Sequence, residues 1–204
     1  MNYKKLSLIV IPIIVLILYF IFKSPDIKNY PPKNHIVVAF GDSLVQGVGS
    51  TISNDFVTLL SKKIGKPIIN LGVSGNTTAQ GLDRIDDVIS RDPGTVVVLL
   101  GGNDYLRKIP QDQTFSNLRK IIVTLQSKGI VVVLLGVRGG LLVDKFSSDF
   151  STLAKETGVI FIPNVLDGLI GDSRYMSSDG IHPNNVGYSM IADKVYNYIK
   201  DYKL

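Results

Sequence analysis

The chain has 204 residues, 45% of them hydrophobic and 19% charged, a balance typical of one globular domain with a sizeable core and not of a disordered chain. The absence of cysteine excludes a disulfide framework, thiolate metal sites and a cysteine nucleophile. Five lysines and one aspartate in residues 1–34 supply most of the net charge of +5, so residues 35–204 are nearly neutral and no nucleic-acid partner is predicted.

The first element is an apolar run over residues 6–22, interrupted by one serine, one proline and one tyrosine. A helix of this length spans roughly 25 Å, just short of the hydrocarbon core of a bilayer. No small-x-small cleavage site follows, which favours an uncleaved anchor over a cleaved signal peptide. Lysines 4 and 5 favour a cytoplasmic N-terminus, so the remainder is expected to be extracytoplasmic, periplasmic or at the cell surface. We interpret residues 1–23 as a membrane anchor or signal segment; cleavage would make the protein secreted.

Residues 24–34 carry three prolines among polar residues. This composition predicts an extended linker between the membrane and a domain over residues 35–204.

Within that domain, short apolar runs alternate with helical patterns. The runs predict strands over 36–40, 67–71, 95–100, 130–135 and 159–162. The helical spacing predicts helices over 55–64 (with Asn54 or Ser53 as N-cap), 77–90, 114–128, 143–157 and 185–202. Buried strands separated by helices of this length predict an α/β fold with a parallel sheet covered on both faces.

Polar segments follow the first three strands, where open α/β sheets bind their ligands. They are Gly41-Asp42-Ser43-Leu44, Ser74-Gly75-Asn76-Thr77 and Gly101-Gly102-Asn103-Asp104. A fourth segment, Asp179-Gly180-Ile181-His182-Pro183-Asn184, precedes the last predicted helix. An aspartate three residues before a histidine can hold one ring nitrogen while the other accepts a proton from a serine. Taken alone, the first segment also suits a turn with an N-cap serine, and the fourth suits a turn with an exposed histidine.

In order and spacing, these four segments resemble the sequence blocks of the SGNH, or GDSL-type, hydrolases, over residues 36–200. They are most similar to the bacterial thioesterase I / lysophospholipase L1-like esterases. The resemblance implies a flavodoxin-like three-layer α/β/α sandwich (the SGNH hydrolase fold) whose five-stranded parallel sheet has the order 2-1-3-4-5.

The resemblance also assigns roles to individual residues. It implies that Ser43 is the nucleophile, His182 the general base and acid, and Asp179 the group that orients His182. The implied oxyanion hole consists of the backbone N–H groups of Ser43 and Gly75 and the side-chain amide of Asn103. The other two aspartates of these segments, at positions 42 and 104, are expected to stabilise turns by local hydrogen bonds.

The implied activity is hydrolysis of carboxylic (thio)esters through an acyl-serine intermediate, without a cofactor. Acyl esters such as lysophospholipids or short-chain esters are the expected substrates, because the tether would keep the site near lipid. The alternative enzyme is an O-deacetylase of cell-wall or surface polysaccharide, and the non-enzymatic alternative is a tethered carbohydrate- or lipid-binding module. A nucleotide-binding protein is disfavoured because no phosphate-binding loop follows the first strand. No metal site is predicted, because no cluster of His, Asp and Glu has metal-ligand spacing.

Two further segments are candidates for the walls of a pocket. Residues 105–110 follow the third block directly. Leu141 and Leu142, after the fourth strand, can line an acyl pocket, face the membrane, or cap the core face of the next helix.

Overall fold

Five short parallel strands form one sheet in the computed structural model, which describes residues 26–138 and 145–204. They are β1 (Val37–Gly41), β2 (Ile68–Gly72), β3 (Thr95–Leu99), β4 (Val131–Leu135) and β5 (Ile160–Ile162). The strand order is β2-β1-β3-β4-β5, which confirms the order implied by the resemblance. Each strand lies within one residue of its predicted bounds.

Eight helices are present in the described part of the chain. They are α1 (Ser43–Gln46), α2 (Phe56–Ile64), α3 (Thr78–Asp83), α4 (Ile85–Ile89), α5 (Gly102–Leu106), α6 (Gln111–Ser127), α7 (Lys145–Thr157) and α8 (Asn185–Ile199). Helix α2 packs against α8, whereas α3 and α7 both pack against α6. Every residue of β1, β3 and β4 is buried, so the helices cover both faces of the sheet.

Several helix boundaries differ from those predicted. The helix expected over 77–90 is two helices, because Arg84 leaves helical geometry (φ −111°, ψ 21°). Helix α6 begins directly after Pro110 rather than at Thr114, and α8 ends at Ile199 rather than near residue 202. The N-cap of α2 is Asp55, whose carboxylate accepts a hydrogen bond from the backbone N–H of Thr58. The short helices α1 and α5 were not predicted; both follow strands whose ends carry the polar segments.

The described part of the predicted linker, residues 26–34, packs along the amino edge of the sheet. The Lys28 N–H donates to the carbonyl of Gly158, just before β5 (2.9 Å). The Asn29 amide donates to the carbonyls of Gln126 and Ile130, just before β4 (2.8 and 3.0 Å). Residues 26–34 therefore belong to the folded unit, which corrects the expectation of an extended spacer; the cause is this set of bonds to residues far along the chain.

The membrane segment predicted at the N-terminus is not among the residues that the structure describes. Within residues 26–138 and 145–204, no helix combines the length and apolarity needed to cross a bilayer. The predicted anchor, residues 1–23, lies outside these ranges.

Asn29 offers a test of the packed linker. Asn29→Ala removes the donor to the Ile130 carbonyl and one of the donors to the Gln126 carbonyl, so we expect the free energy of unfolding to fall by about 1–3 kcal/mol. Urea denaturation of the full chain measures the change. The matched control is Asn54→Ala, since the Asn54 amide bonds to Thr51 within its own exposed loop. Equal losses in the two variants would contradict the packing role of Asn29.

Candidate active site

The loops that follow β1, β2 and β3 meet the loop before α8 at the carboxyl edge of the sheet. They enclose a cavity of about 520 Å³. Four of the five predicted site residues line it: Ser43, Gly75, Asn103 and His182. The fifth, Asp179, lies behind the imidazole of His182 and bonds to it. The structure therefore brings all five residues together.

Ser43 is presented by a tight turn between β1 and α1. A Cβ on Gly41 would lie 2.3 Å from the carbonyl oxygen of Leu99, so no larger residue fits at the end of β1. Asp42 then caps α1, because its Oδ1 accepts a hydrogen bond from the Leu44 N–H at 3.0 Å. Ser43 follows as the first residue of α1, with 7% of its surface exposed. Its hydroxyl reaches the cavity from a rigidly held main chain.

A continuous chain of hydrogen bonds joins Ser43, His182 and Asp179. The Ser43 Oγ lies 2.9 Å from His182 Nε2, and His182 Nδ1 lies 2.6 Å from Asp179 Oδ2. The other carboxylate oxygen of Asp179 accepts from the backbone N–H groups of Ile181 and His182 at 2.9 Å each, and from the Ser177 hydroxyl at 2.8 Å.

These bonds determine the ionisation of Asp179 and the tautomer of His182. The His182 side chain and then the backbone N–H groups hold the pKa of the Asp179 carboxyl well below its usual range. A permanent carboxylate accepts the Nδ1–H of His182, which leaves Nε2 free to accept the Ser43 hydroxyl proton.

The residues predicted to bind an oxyanion lie beside Ser43. Gly75 adopts φ +78°, a left-handed conformation that favours glycine. The Asn103 Nδ2 donates to the carbonyl of Asn76 at 3.1 Å and lies 3.4 Å from Asp42 Oδ2. The Asn103 amide is thus held with its nitrogen towards the loop that carries Gly75.

The two remaining aspartates have different surroundings. Asp42 stabilises its own turn, as predicted, and also faces Asn103. Burial raises the pKa of Asp42 from 3.8 to about 6. The Asp104 carboxylate does not bond locally: it accepts from the Thr78 N–H (2.8 Å) and from the hydroxyls of Thr78 and Thr114. This corrects the expectation of a local turn, because the partners of Asp104 lie in α3 and α6.

Large apolar side chains surround the mouth of the cavity. Four of them keep about half of their surface exposed: Tyr105 (47%), Leu106 (57%), Ile170 (47%) and Ile181 (51%). We refer to these four residues as the apolar rim. Tyr105 and Leu106 belong to the predicted pocket wall, whereas the sequence analysis did not identify Ile170. A large apolar residue within a loop was the feature of the sequence that could have indicated it. Leu141 and Leu142 lie outside the described residues.

Sequence reasoning also missed Arg84, whose guanidinium bonds to the main chain beneath the site. A basic residue on a predicted amphipathic helix carries no signal of its own. In the part of the chain that the structure describes, no group of three or more His, Cys, Asp or Glu side chains is arranged to hold a metal ion.

Comparison with known proteins gives consistent matches over the domain. Residues 39–190 match the GDSL-like Lipase/Acylhydrolase family. Esterase TesA of Pseudomonas aeruginosa is 29% identical over 175 residues, covering 80% of this chain and 87% of that protein. Thioesterase 1/protease 1/lysophospholipase L1 of Escherichia coli K12 is 32% identical over 165 residues, covering 77% and 79%.

Solved structures agree with these matches. A crystal structure of TesA superposes with a TM-score of 0.77 at 29% identity, covering 81% of this chain and 98% of that one. The psychrotrophic esterase EstA from Pseudoalteromonas sp., inhibited by monoethylphosphonate, superposes with a TM-score of 0.75 at 26% identity, covering 82% and 97%.

The raised pKa of Asp42 has a consequence for stability. Between pH 3.8 and about 6 the folded state keeps a proton that the unfolded chain releases, so this contribution to stability is present at low pH and lost as pH rises through 6. Asp42→Asn removes the titration. We expect the free energy of unfolding of the variant, relative to the wild type, to increase by about 2 kcal/mol from about pH 4 to pH 8.

Urea denaturation of both proteins at the two pH values measures this difference. The control is Asp201→Asn, at an exposed carboxyl. A difference between Asp42→Asn and wild type that stays constant with pH would contradict the buried, proton-binding carboxyl.

Proposed function

The chain belongs to the GDSL-like lipase/acylhydrolase family, and on that basis we propose that it hydrolyses carboxylic esters and thioesters through an acyl-Ser43 intermediate. The observation that carries this proposal is the unbroken hydrogen-bonded chain from Ser43 through His182 to Asp179 at the cavity. A binding module without turnover has no need of a serine hydroxyl bonded to an oriented imidazole.

The proposed reaction has two symmetrical halves. His182 Nε2 accepts the hydroxyl proton as Ser43 Oγ attacks the carbonyl carbon, and the Asp179 carboxylate stabilises the resulting imidazolium. As the tetrahedral intermediate collapses, His182 returns the proton to the leaving alcohol or thiol, and the acyl group remains on Ser43. Water then attacks the acyl carbon, again giving its proton to His182, and the acid leaves as Ser43 regains its proton.

The tetrahedral intermediate requires donors aimed at its negative oxygen. The backbone N–H groups of Ser43 and Gly75 and the side-chain amide of Asn103 are the proposed donors, each contributing about 10²- to 10³-fold to the rate. The Asn103 amide would exchange its long, 3.4 Å contact with Asp42 for the oxyanion while keeping its 3.1 Å bond to Asn76.

The apolar rim supports acyl esters as the substrate class. Aliphatic chains beyond acetyl would cover Tyr105, Leu106, Ile170 and Ile181, which gains free energy by removing apolar surface from water. A cavity of about 520 Å³ has room for such a chain. An O-deacetylase of polysaccharide, the alternative enzyme, would bring polar sugar hydroxyls against the same rim.

The proposed location is extracytoplasmic, with residues 1–23 as anchor or signal segment. The apolar run and the lysines that precede it support this proposal. Residues 26–34 reach the sheet at its amino edge, and strands of five residues separate the two edges by roughly 17 Å. An anchored domain would therefore hold its cavity away from the point of attachment, so we propose that esters reach it from the aqueous side, in place of the expectation that the tether keeps the site near lipid.

Ser43→Ala tests the nucleophile. We expect kcat/KM on p-nitrophenyl esters to fall by about 10⁴-fold or more, because the variant lacks the attacking oxygen. Ser61→Ala, whose hydroxyl bonds to the Lys66 carbonyl far from the cavity, is the control and should keep full activity. A Ser43→Ala enzyme with more than about 1% of wild-type activity would exclude the acyl-Ser43 mechanism.

The apolar rim predicts the chain-length preference. We expect Leu106→Ser to lower kcat/KM on octanoyl esters about 10-fold while changing acetyl esters little, since the acetyl group does not reach the rim. Ile52→Ser, at an exposed apolar residue that does not line the cavity, is the control. Acetyl esters as the best substrates, with no effect of Leu106→Ser at any chain length, would favour the O-deacetylase instead.

A further inference from the structure

Arg84 joins three separate segments beneath the candidate active site. Its Nη2 donates to the carbonyl of Gly41 at 2.7 Å, and its Nη1 donates to the carbonyl of Leu71 at 3.0 Å. Its Nε donates to the side-chain oxygen of Asn76 at 2.6 Å. The guanidinium also lies over the ring of Phe40, 4.3 Å from its centre.

The bonded segments carry two of the three proposed oxyanion donors, Ser43 and Gly75, and the third, Asn103, bonds to one of these segments. Gly41 ends β1, two residues before Ser43. Asn76 directly follows Gly75, and Leu71 lies in β2 just before that loop. The backbone oxygen of Asn76 in turn accepts the bond from Asn103 Nδ2 at 3.1 Å. The Arg84 side chain thus bonds close to Ser43 and Gly75 along the main chain, and reaches Asn103 through Asn76.

The backbone conformation at Arg84 places its side chain beneath the site. Arg84 separates α3 from α4, and the interruption breaks the single helix that the sequence predicts there. Arg84 does not line the cavity, so it acts on a substrate only through its neighbours. Three acceptors on three segments match the planar fork of arginine, whereas a lysine ammonium on a flexible stem meets them without fixed directions.

We propose that Arg84 is a positioning residue that fixes the oxyanion donors of Ser43, Gly75 and Asn103 relative to one another. This inference rests on the proposed esterase function. It assigns to Arg84 an effect on the transition state, because a donor displaced by a fraction of an ångström still permits substrate binding but no longer meets the developing oxyanion.

The test compares Arg84→Lys, Asn76→Ala and the double variant with the wild-type full chain. For Arg84→Lys we expect kcat on a p-nitrophenyl ester to fall about 10- to 100-fold with KM within about threefold of wild type. An alkyl boronic acid, which forms a tetrahedral adduct on a serine, should lose affinity by the same factor as kcat/KM. The pH midpoint of kcat/KM should not move, because the Ser43–His182–Asp179 chain is untouched.

Asn76→Ala removes the acceptor of Nε but keeps the backbone oxygen, and provides a second test if Arg84→Lys does not fold. We expect it to lose about 10-fold in kcat. Because the two residues act as one unit, the kcat of the double variant should be no lower than that of the less active single variant. Arg119→Lys, at a surface ion pair with Glu156, is the control and should leave both constants unchanged.

Two results overturn the inference. One is kcat and boronic-acid affinity within about threefold of wild type in both Arg84→Lys and Asn76→Ala. The other is a lowered melting temperature for Arg84→Lys with both constants unchanged per folded molecule, which would make Arg84 a structural residue alone. A wild-type protein that hydrolyses no ester would instead overturn the proposed function.

Discussion

The register of β1 with its two neighbours, β2 and β3, is the constraint on which the rest of the site depends. Gly41 at the end of β1 pairs with Gly72 of β2 on one side and with Leu99 of β3 on the other. The three following loops therefore start at the same level, and their polar residues reach one cavity. Two glycines make this possible: a Cβ on Gly72 would lie 2.1 Å from the backbone nitrogen of Gln46, as close a clash as the one at Gly41.

Two carboxylates beside this edge have opposite properties, and their environments explain why. Asp179 is partly exposed and accepts four hydrogen bonds, so its charge is stabilised and its pKa is lowered. Asp42 is buried beneath the nucleophile, so desolvation raises its pKa despite the bond from Leu44. Asp179 is therefore a permanent anion that orients His182, whereas Asp42 is a carboxyl that caps a turn and faces Asn103.

The sequence was sufficient to predict features that depend on neighbours along the chain. Apolar runs located the five strands, and the resemblance of the polar segments after them to the blocks of a known family implied roles for Ser43, Gly75 and Asn103. It was insufficient where a partner lies far away: Asp104 bonds to Thr78, and Asn29 bonds to the carbonyl of Ile130. The contacts of Arg84 belong to the same class, because no spacing in the sequence indicates that its guanidinium reaches β1 and β2.

The central claim, that Ser43 carries the acyl group, is tested most directly by covalent labelling. The full chain would be treated with an activated alkyl phosphonate ester, which traps a nucleophilic serine, and then analysed by intact mass and peptide mapping. We predict one phosphonyl group per molecule, on the peptide that contains Ser43, with loss of esterase activity in proportion to labelling. Inactivation accompanied by a label on another residue, with Ser43 unmodified, would contradict it.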